Sequence, residues 1–282
     1  MDAAEPFDRR LRRLRRARAA ASGGDADYLL RHADEELIER LQAVRREFRR
    51  ALVLGGGDGA LAVRLRALGL DVVVADAARA LGEVQCDEDR LPFADGAFDL
   101  VLSVGVLDSV NDLPGALALV RRALRPDGLF LGAFAGAGSL PALRRAMHAA
   151  EEAQGRPASP RIHPQIDLRA AGDLLARAGL ALPVVDGETV TVRFGSLLRL
   201  VADLRAMGAT NILETRSRAP VGRLGLAAAM AEFAAAADAD GKTAERFEIV
   251  YMIGWAPSPD QPQPARRGSG TASLAAALKP KG

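Results

Sequence analysis

The residues with the clearest chemical potential follow a short apolar run, where Ala51-Leu-Val-Leu leads into Gly-Gly-Gly-Asp-Gly59. Glycine allows a sharp backbone turn and a close approach to a ligand, and the free N–H groups at the start of the next helix can face the bound molecule. Tight turns that bind nothing have the same composition, so the neighbouring segments must show whether this turn binds a ligand. We therefore treat Gly55, Gly57 and Gly59 as candidate ligand contacts, with Asp58 as their charged neighbour.

Carboxylates follow the next two predicted strands. Asp76 directly follows the run Asp71 to Ala75, and a carboxylate there can accept hydrogen bonds from the 2′ and 3′ hydroxyls of a ribose. A helix cap is the alternative role for this residue. Asp87 follows the third strand, where it could accept a hydrogen bond from the exocyclic amine of an adenine. Together with the glycines, these acids predict a site for an adenosine-type ligand.

The elements that position these residues form an α/β pattern. From residue 50, short β-rich apolar runs alternate with helical patterns, which is typical of a parallel sheet with helices on both faces. The predicted strands are Ala51 to Leu54, Asp71 to Ala75, Gly82 to Cys86, Phe98 to Val104, Leu129 to Ala133, Thr189 to Phe194 and Phe247 to Trp255. The predicted helices cover residues 6–21, 33–48, 59–68, 113–124, 140–154, 168–177, 196–207 and 221–238.

These elements predict three parts of the chain. An N-terminal helical cap covers residues 1–48, a Rossmann-like domain covers 49–256, and a flexible tail rich in Pro, Gly, Ser, Ala and basic residues covers 257–282. An inserted strand and helix at about 184–211 are expected to form a lid over the substrate side of the domain.

The N-terminal segment is strongly basic. Arginines at positions 9, 10, 12, 13, 15, 16 and 18 surround Phe7, Leu11 and Leu14 at amphipathic helical spacing. Such a helix could lie solvated on the domain, or it could form a docking surface for an acidic partner or for lipid head groups. The sequence leaves both possibilities open.

Composition excludes several classes of protein. The 38 basic and 36 acidic residues give a net charge of +2, which is too small to create an overall electrostatic field that attracts nucleic acid. Cys86 is the sole cysteine, so an internal disulfide framework and a cysteine-rich zinc site are excluded. No run reaches the roughly 18 apolar residues of a membrane helix, and no signal peptide is apparent. We expect a cytoplasmic protein without a nucleic-acid partner, with at most peripheral contact at the inner face of a membrane.

One triplet has the residue types of a metal site. His32-Ala33-Asp34 could supply a histidine and a carboxylate, with His148 or His163 as a third ligand. The triplet lies between two predicted helices, and the other two histidines are predicted to be surface side chains. We therefore predict no metal site.

Several segments together resemble a class I S-adenosylmethionine (SAM) dependent methyltransferase. They are the glycine loop, Asp76, Asp87-Glu-Asp-Arg-Leu-Pro-Phe93 and Phe98-Asp-Leu-Val-Leu-Ser103. More narrowly, the chain resembles the mitochondrial complex I assembly factor five family and its bacterial relatives. The segments that carry this second resemblance are Ser109-Val-Asn-Asp-Leu-Pro114, Leu124-Arg-Pro-Asp-Gly-Leu-Phe130, Asp203-Leu-Arg-Ala-Met-Gly208, Tyr251-Met-Ile-Gly-Trp255 and Ala265-Arg-Arg-Gly-Ser-Gly270.

The resemblance implies a Rossmann-like, seven-stranded SAM-dependent methyltransferase fold. It implies that S-adenosyl-L-methionine is the cofactor, and that Gly55, Gly57, Asp58, Gly59, Asp76 and Asp87 bind it. It also implies an enzyme that hydroxylates an arginine in a respiratory complex I subunit or assembly intermediate, an activity other than methyl transfer. Two alternatives remain: a conventional methyltransferase of a small acceptor, like the carboxyl methyltransferase of biotin synthesis, and an assembly factor without catalysis.

Two positions depart from the family pattern. Val53 stands where methyltransferases usually carry an acid that helps to hold the amino group of SAM, which favours the non-catalytic alternative over the conventional methyltransferase. Asp108 and Ser109 stand where the family tends to have a histidine followed by an aromatic residue. Asp108, at the mouth of the fourth strand, is the candidate catalytic residue, and capping of the next turn is its alternative role.

Overall fold

One mixed sheet forms the centre of the computed structural model, which describes residues 5–22, 25–157 and 159–262. Its strands are β1 (Arg50–Gly55), β2 (Asp71–Asp76), β3 (Val84–Gln85), β4 (Phe98–Val104), β5 (Leu124–Ala135), β6 (Ala181–Phe194) and β7 (Thr243–Trp255). Their order in the sheet is β3-β2-β1-β4-β5-β7-β6, and only β7 runs antiparallel to its neighbours. The predicted α/β class with a seven-stranded Rossmann-like sheet is confirmed.

Helices cover both faces of this sheet. They are α1 (Arg9–Ser22), α2 (Tyr28–Ala43), α3 (Ala60–Ala67), α4 (Leu113–Ala123), α5 (Pro141–Glu152), α6 (Leu168–Arg177), α7 (Leu197–Ala206) and α8 (Arg223–Ala235). Short 3-10 turns lie at Asp25–Asp27, Arg79–Leu81, Glu88–Arg90 and Leu107–Ser109. Across the described ranges, each helix is too short or too polar to cross a bilayer.

The core has two layers because successive residues of a strand point to opposite faces. In β1, Ala51 and Val53 pack in the layer that contains side chains of α2, α3, α5, α7 and α8. Leu52 and Leu54 pack in the other layer, with α4 and α6. All four side chains are buried. Burial on both faces explains why β1 reads as a continuous apolar run rather than an alternating one.

The register of the central strands aligns their carboxyl ends. Leu54 of β1 pairs with Ala75 of β2 and with Ser103 of β4. Gly55 and Asp76, each one residue further along, therefore lie at the same edge of the sheet. In an open α/β sheet, this edge is where ligands bind.

The boundaries of several elements differ from the predicted ones. The second helix begins at Tyr28 rather than residue 33 and ends at Ala43, because the 3-10 turn Asp25–Asp27 leads directly into it. The strand predicted at Thr189 to Phe194 is the second half of β6, so it belongs to the main sheet and adds no strand to a lid. From this region, α7 and the loop that follows it cover the substrate side. The predicted tail begins within the described residues, but positions 263–282 lie outside them.

The buried carboxylate of Glu245 caps the N-terminus of α5. Glu245 of β7 is fully buried, and its carboxylate accepts hydrogen bonds from the backbone N–H groups of Ala142 (3.0 Å) and Leu143 (2.8 Å). Because Glu245→Ala leaves both donors buried without a partner, we expect it to lower the free energy of unfolding by about 2–3 kcal/mol in urea titrations. Glu232→Ala, at an exposed pair 3.8 Å from Arg145, is the control and should change it by less than about 0.5 kcal/mol. Equal losses in the two variants would contradict the capping role.

Candidate active site

The glycine loop makes a sharp turn between β1 and α3, as predicted. All four of its glycines have a positive φ, between 57° and 89°. A Cβ atom at Gly55 would lie 2.5 Å from the carbonyl oxygen of Val104, so this position accepts no side chain. A Cβ atom at Gly57 would lie 3.1 Å from Leu30 Cδ1, whereas one at Gly59 would meet no atom within 4 Å. The loop is therefore packed against β4 at its start and opens into free space at its end.

A cavity of about 470 Å³ lies beside the open end of the loop, and we call it the loop cavity. Its walls include Gly57, Asp58 and Gly59 of the loop, Arg16 of α1 and Leu30 of α2. The structure thus brings three of the predicted contact residues together around a space suited to a ligand.

Asp76 lies at the carboxyl end of β2, behind Arg16 of the cavity lining rather than in the lining itself, and is already bound by other parts of the chain. Its Oδ1 accepts hydrogen bonds from the backbone N–H of Ala78 (2.8 Å) and from Arg16 Nε (3.0 Å). Its Oδ2 accepts a hydrogen bond from Arg16 Nη2 at 2.5 Å. The carboxylate is about 1% exposed, so the arginine of α1 covers the group predicted to bind a ribose.

Asp87 is 2% exposed and starts the 3-10 turn Glu88–Arg90. Its Oδ2 accepts a hydrogen bond from Arg13 of α1, while its Oδ1 has no hydrogen-bond partner among the described residues. A buried acceptor without a donor is costly. Arg12 Nη1 lies 3.9 Å from this oxygen, which is an ion-pair distance but too long for a hydrogen bond. The free hydrogen-bonding capacity of Oδ1 therefore fits the predicted role of Asp87 as an acceptor for an exocyclic amine.

Three acids lie around the start of the loop, although Val53 itself is apolar and buried. Asp58 is exposed, and its Oδ1 accepts a hydrogen bond from the backbone N–H of Ala60 at 2.9 Å. Burial, followed by a hydrogen bond between its carboxyl group and that of Asp58, raises the pKa of Asp27. Burial and then the charge of Asp58 raise the pKa of Asp34 to about 8. Asp58 thus places a carboxylate in the loop even though the usual acid at position 53 is missing, whereas the raised pKa values of Asp27 and Asp34 favour their neutral forms.

A second cavity of about 250 Å³ lies on the other side of Leu30 and Met207, which line both cavities. We call it the substrate cavity. Most of its lining is apolar, with contributions from α2, β5, α5, α7 and β7. Its polar lining comes from Asp108, Ser139, Arg161, His163, Gln165, Thr210 and Asn211. Of these residues, the sequence pattern singled out Asp108 and His163 and placed Thr210 and Asn211 at the end of the segment expected to cover the substrate side.

Asp108 is half-buried in the 3-10 turn after β4 and lines the substrate cavity. Burial raises the pKa of Asp108 to about 6, although the nearby charge of Arg12 opposes the shift. The cap of the next helix is a different residue, Asp112, whose Oδ1 accepts a hydrogen bond from the backbone N–H of Gly115 at 2.9 Å. The structure therefore leaves Asp108 available to a molecule in the substrate cavity.

The two basic side chains of the cavity are neutral or already paired. His163 was predicted to be a surface residue, but it lines the cavity, and burial lowers its pKa to about 4. Its Nε2 accepts a hydrogen bond from the backbone N–H of Ile212 at 3.0 Å, which fixes the neutral ring. Arg161 forms an ion pair with Glu151, with 2.9 Å between Nε and Oε1. His148, in contrast, is exposed as predicted.

The triplet His32-Ala33-Asp34 lies within α2 rather than between two helices. Two residues on a helix differ by about 200° in direction, so its histidine and carboxylate point apart. His32 instead lies close to Glu36 and Glu188, with one ligand atom of each within 4.8 Å of the others. Its Nε2 is 2.9 Å from Glu188 Oε2, and Arg40 pairs with Glu36. Because these groups are already paired with one another and with a cation, we assign no metal to them.

The unpaired acid Asp34 makes stability depend on pH. It is 3% exposed, and its Oδ1 has no hydrogen-bond partner within the described ranges. Its pKa is about 8 in the folded chain, against about 3.9 for an unfolded aspartate. The folded state therefore keeps the proton longer, and this residue reduces stability as the pH rises from about 4 to about 8.

Asp34→Asn should remove the loss of stability that the wild-type protein shows as the pH rises. We expect the variant to exceed the wild type in free energy of unfolding by at least about 1 kcal/mol at pH 9, and by close to zero near pH 4. Urea titrations at the two pH values measure the difference, with the exposed Asp173→Asn as control. A variant no more stable than the wild type at pH 9 would contradict this account.

Comparison with known proteins assigns the family. Residues 25–183 match the family model described as a methyltransferase domain. The chain is 33% identical to the arginine-hydroxylase NDUFAF5, mitochondrial, of Danio rerio over 95% of this chain and 88% of that protein. It is 34% identical to the Homo sapiens NDUFAF5 over 95% of this chain and 82% of that protein.

A methyltransferase and a solved structure are also similar. The malonyl-[acyl-carrier protein] O-methyltransferase of Xylella fastidiosa (strain M23) is 31% identical over 85% of each chain. The YcgJ protein from Bacillus subtilis superimposes with a TM-score of 0.55 at 16% identity, covering 81% of this chain and 99% of that one, which supports the fold alone. The chain therefore belongs to the class I SAM-dependent methyltransferase superfamily, together with the NDUFAF5 arginine hydroxylases.

Proposed function

We propose that this chain is an arginine-modifying enzyme of the NDUFAF5 type. It holds S-adenosylmethionine in the loop cavity and receives an arginine side chain of a respiratory complex I subunit in the substrate cavity. The sequence similarity to arginine hydroxylases over 95% of the chain supports the type of enzyme. The same proposal places the protein in the cytoplasm, where it meets complex I subunits or assembly intermediates at the inner face of the membrane.

The charge in the substrate cavity is the observation that carries this proposal. Asp108 and Arg161 are its only charged lining residues within the described residues, and Glu151 already neutralises Arg161. His163 is neutral, since burial lowers its pKa to about 4. Asp108 is therefore the one unneutralised charge of the lining, and it suits a cationic substrate group such as a guanidinium.

The rest of the cavity suits the remainder of an arginine side chain. Leu29, Leu143 and Phe247 contribute apolar walls, against which a methylene stem can pack. Asp108 is ionised above pH 6, where its carboxylate would pair with the guanidinium and fix its orientation. Because Leu30 and Met207 border both cavities, the arginine held in this way lies next to the cofactor.

The residues around the loop cavity fit the cofactor. Arg16 lines the cavity and binds Asp76, the carboxylate that suits the two hydroxyls of a ribose. Asp87 Oδ1 accepts no hydrogen bond among the described residues, so it suits a donating amine. The space beyond Gly59 accepts a ligand close to the backbone. S-adenosylmethionine, when bound, supplies a sulfonium that carries a transferable methyl group. The gain of one oxygen by arginine would in addition consume an external oxidant, for which dioxygen with two electrons and two protons from a separate reductant gives a balanced reaction and releases water. The chain's own residues bind and orient both molecules and exclude water from the apolar cavity.

A carboxyl methyltransferase is the second candidate, because one relative modifies malonyl-[acyl-carrier protein] and the cavity is mostly apolar. A carboxylate substrate would meet the negative charge of Asp108 and an Arg161 that is already paired. The arrangement of charges therefore favours the arginine substrate.

A complementation experiment tests the proposal. In a strain that lacks this protein, we expect complex I subunits to lose a modification of one oxygen on an arginine, as measured by mass spectrometry. Complementation with the wild-type chain or with the surface variant Asp173→Asn should restore it. Asp108→Asn should reduce it at least about tenfold, because a charge-assisted pair to the substrate is lost.

Three results would contradict the proposal. A gain of one methylene in place of oxygen would favour a methyltransferase, and biotin auxotrophy of the strain would favour the carboxyl methyltransferase. Full restoration by Asp108→Asn would remove the role of the carboxylate.

A further inference from the structure

The basic helix α1 pairs with the acidic edge of the sheet. Its arginines at positions 9, 12, 13 and 16 have the i, i+3, i+4, i+7 spacing that places side chains on one face of a helix. Each of the four forms an ion pair with a carboxylate that ends β2 or follows β3. The acidic partner of this helix is therefore the chain's own candidate cofactor site.

Two of these pairs bind Asp89 and Glu88 rather than the predicted nucleoside contacts, and we call them the anchoring pairs. Their arginines also approach Asp87, with Arg9 Nη1 3.4 Å from Oδ2 and Arg12 Nη1 3.9 Å from Oδ1. Arg9 binds both oxygens of Asp89 at 2.7 Å each. Arg12 binds both oxygens of Glu88 at 2.6 and 2.8 Å, and both of these side chains are buried. Bidentate pairs of this kind are among the stronger ion pairs in proteins.

The other two pairs involve the predicted nucleoside contacts, and we call them the blocking pairs. Arg16 binds both oxygens of Asp76, at 3.0 and 2.5 Å. Arg13 donates to Oδ2 of Asp87. Arg16 is about 11% exposed, whereas Arg13 is 44% exposed. The arginine at Asp76 is thus the more enclosed of the two.

The acceptor capacity of Asp76 decides whether a ribose can bind beside Arg16. A carboxylate has about four lone-pair positions. Two hydrogen bonds from Arg16 and one from the backbone N–H of Ala78 already use three of them. A ribose held through its 2′ and 3′ hydroxyls needs two. At least one bond from Arg16 must therefore break before the sugar can bind.

We propose that α1 is an autoinhibitory helix, whose blocking pairs compete with a nucleoside for Asp76 and Asp87 and must open before the nucleoside binds. This inference rests on the proposed use of the loop cavity for an adenosine-type cofactor. The anchoring pairs keep the first turn of α1 in place, so that its last turns move while the helix stays attached. The arginines also neutralise two buried carboxylates when no ligand is bound, which avoids the large cost of unpaired buried charge.

Calorimetry with S-adenosylhomocysteine tests this competition. If the open form is a minor species, its population limits the apparent affinity, and Arg16→Ala should tighten binding by about tenfold. Arg13→Ala, at the more exposed blocking pair, should tighten it by a smaller factor. Arg10→Ala is the matched control, because Arg10 lies on the same helix, is exposed and forms no ion pair within the described residues. We expect its affinity to equal that of the wild type.

Hydrogen exchange supplies an independent readout on the full chain. Saturating S-adenosylhomocysteine should speed amide exchange in residues 13–22 several-fold and leave residues 9–12 unchanged. Slower exchange in residues 13–22 would mean that the helix closes over the ligand, and it would overturn the proposal. Weaker binding by Arg16→Ala or by Arg13→Ala would assign these arginines to the ligand site itself, with the same consequence.

The outcomes separate this inference from the proposed function. Equal nucleoside affinity in wild type, Arg16→Ala and Arg13→Ala overturns the autoinhibitory helix and leaves the cofactor site intact. No binding by any of the three overturns the proposed cofactor site and, with it, the competition. Thermal unfolding of each variant shows whether it is folded, and the Arg13→Ala result decides the matter if Arg16→Ala does not fold.

Discussion

The parallel pairing of β1 with β2 and β4 is the constraint on which the candidate site depends. Since the carboxyl ends of these strands are in register, the glycine loop, Asp76 and the turn that carries Asp108 meet at one edge of the sheet. The apolar side chains that set this register lie in two buried layers, one on each face. The site is thus a consequence of sheet packing, and it places the loop cavity and the substrate cavity next to each other.

Charge is the second property of this edge. Several carboxylates lie close together at this edge, and those of Asp76, Asp87 and Glu88 are buried. The arginines of α1 compensate those at Asp76, Asp87, Glu88 and Asp89. Burial raises the pKa values of Asp34 and Asp108, against the opposing charges of Arg64 and Arg12 respectively. The predicted nucleoside contacts Asp76 and Asp87 are therefore paired with arginines, whereas Asp108 in the substrate cavity forms no ion pair among the described residues.

The sequence predicted the features that depend on local pattern. The strand Phe98–Val104 and the helix Leu168–Arg177 have the predicted bounds, because buried runs and caps mark them clearly. Contacts between distant segments were not predictable in this way. The pairing of Arg16 with Asp76 spans 60 residues, and the burial of His163 depends on the chain near Ile212. The sequence pattern of a basic amphipathic helix is the same whether the helix contacts solvent, lipid or its own domain.

The most direct test of the central claim is a crystal structure of the chain with S-adenosylhomocysteine. We predict a nucleoside in the loop cavity, with its ribose hydroxyls on Asp76, its adenine amine at Asp87 and the guanidinium of Arg16 moved away from Asp76. An empty cavity at saturating ligand would contradict the account, as would a nucleoside bound elsewhere while Arg16 still holds both oxygens of Asp76.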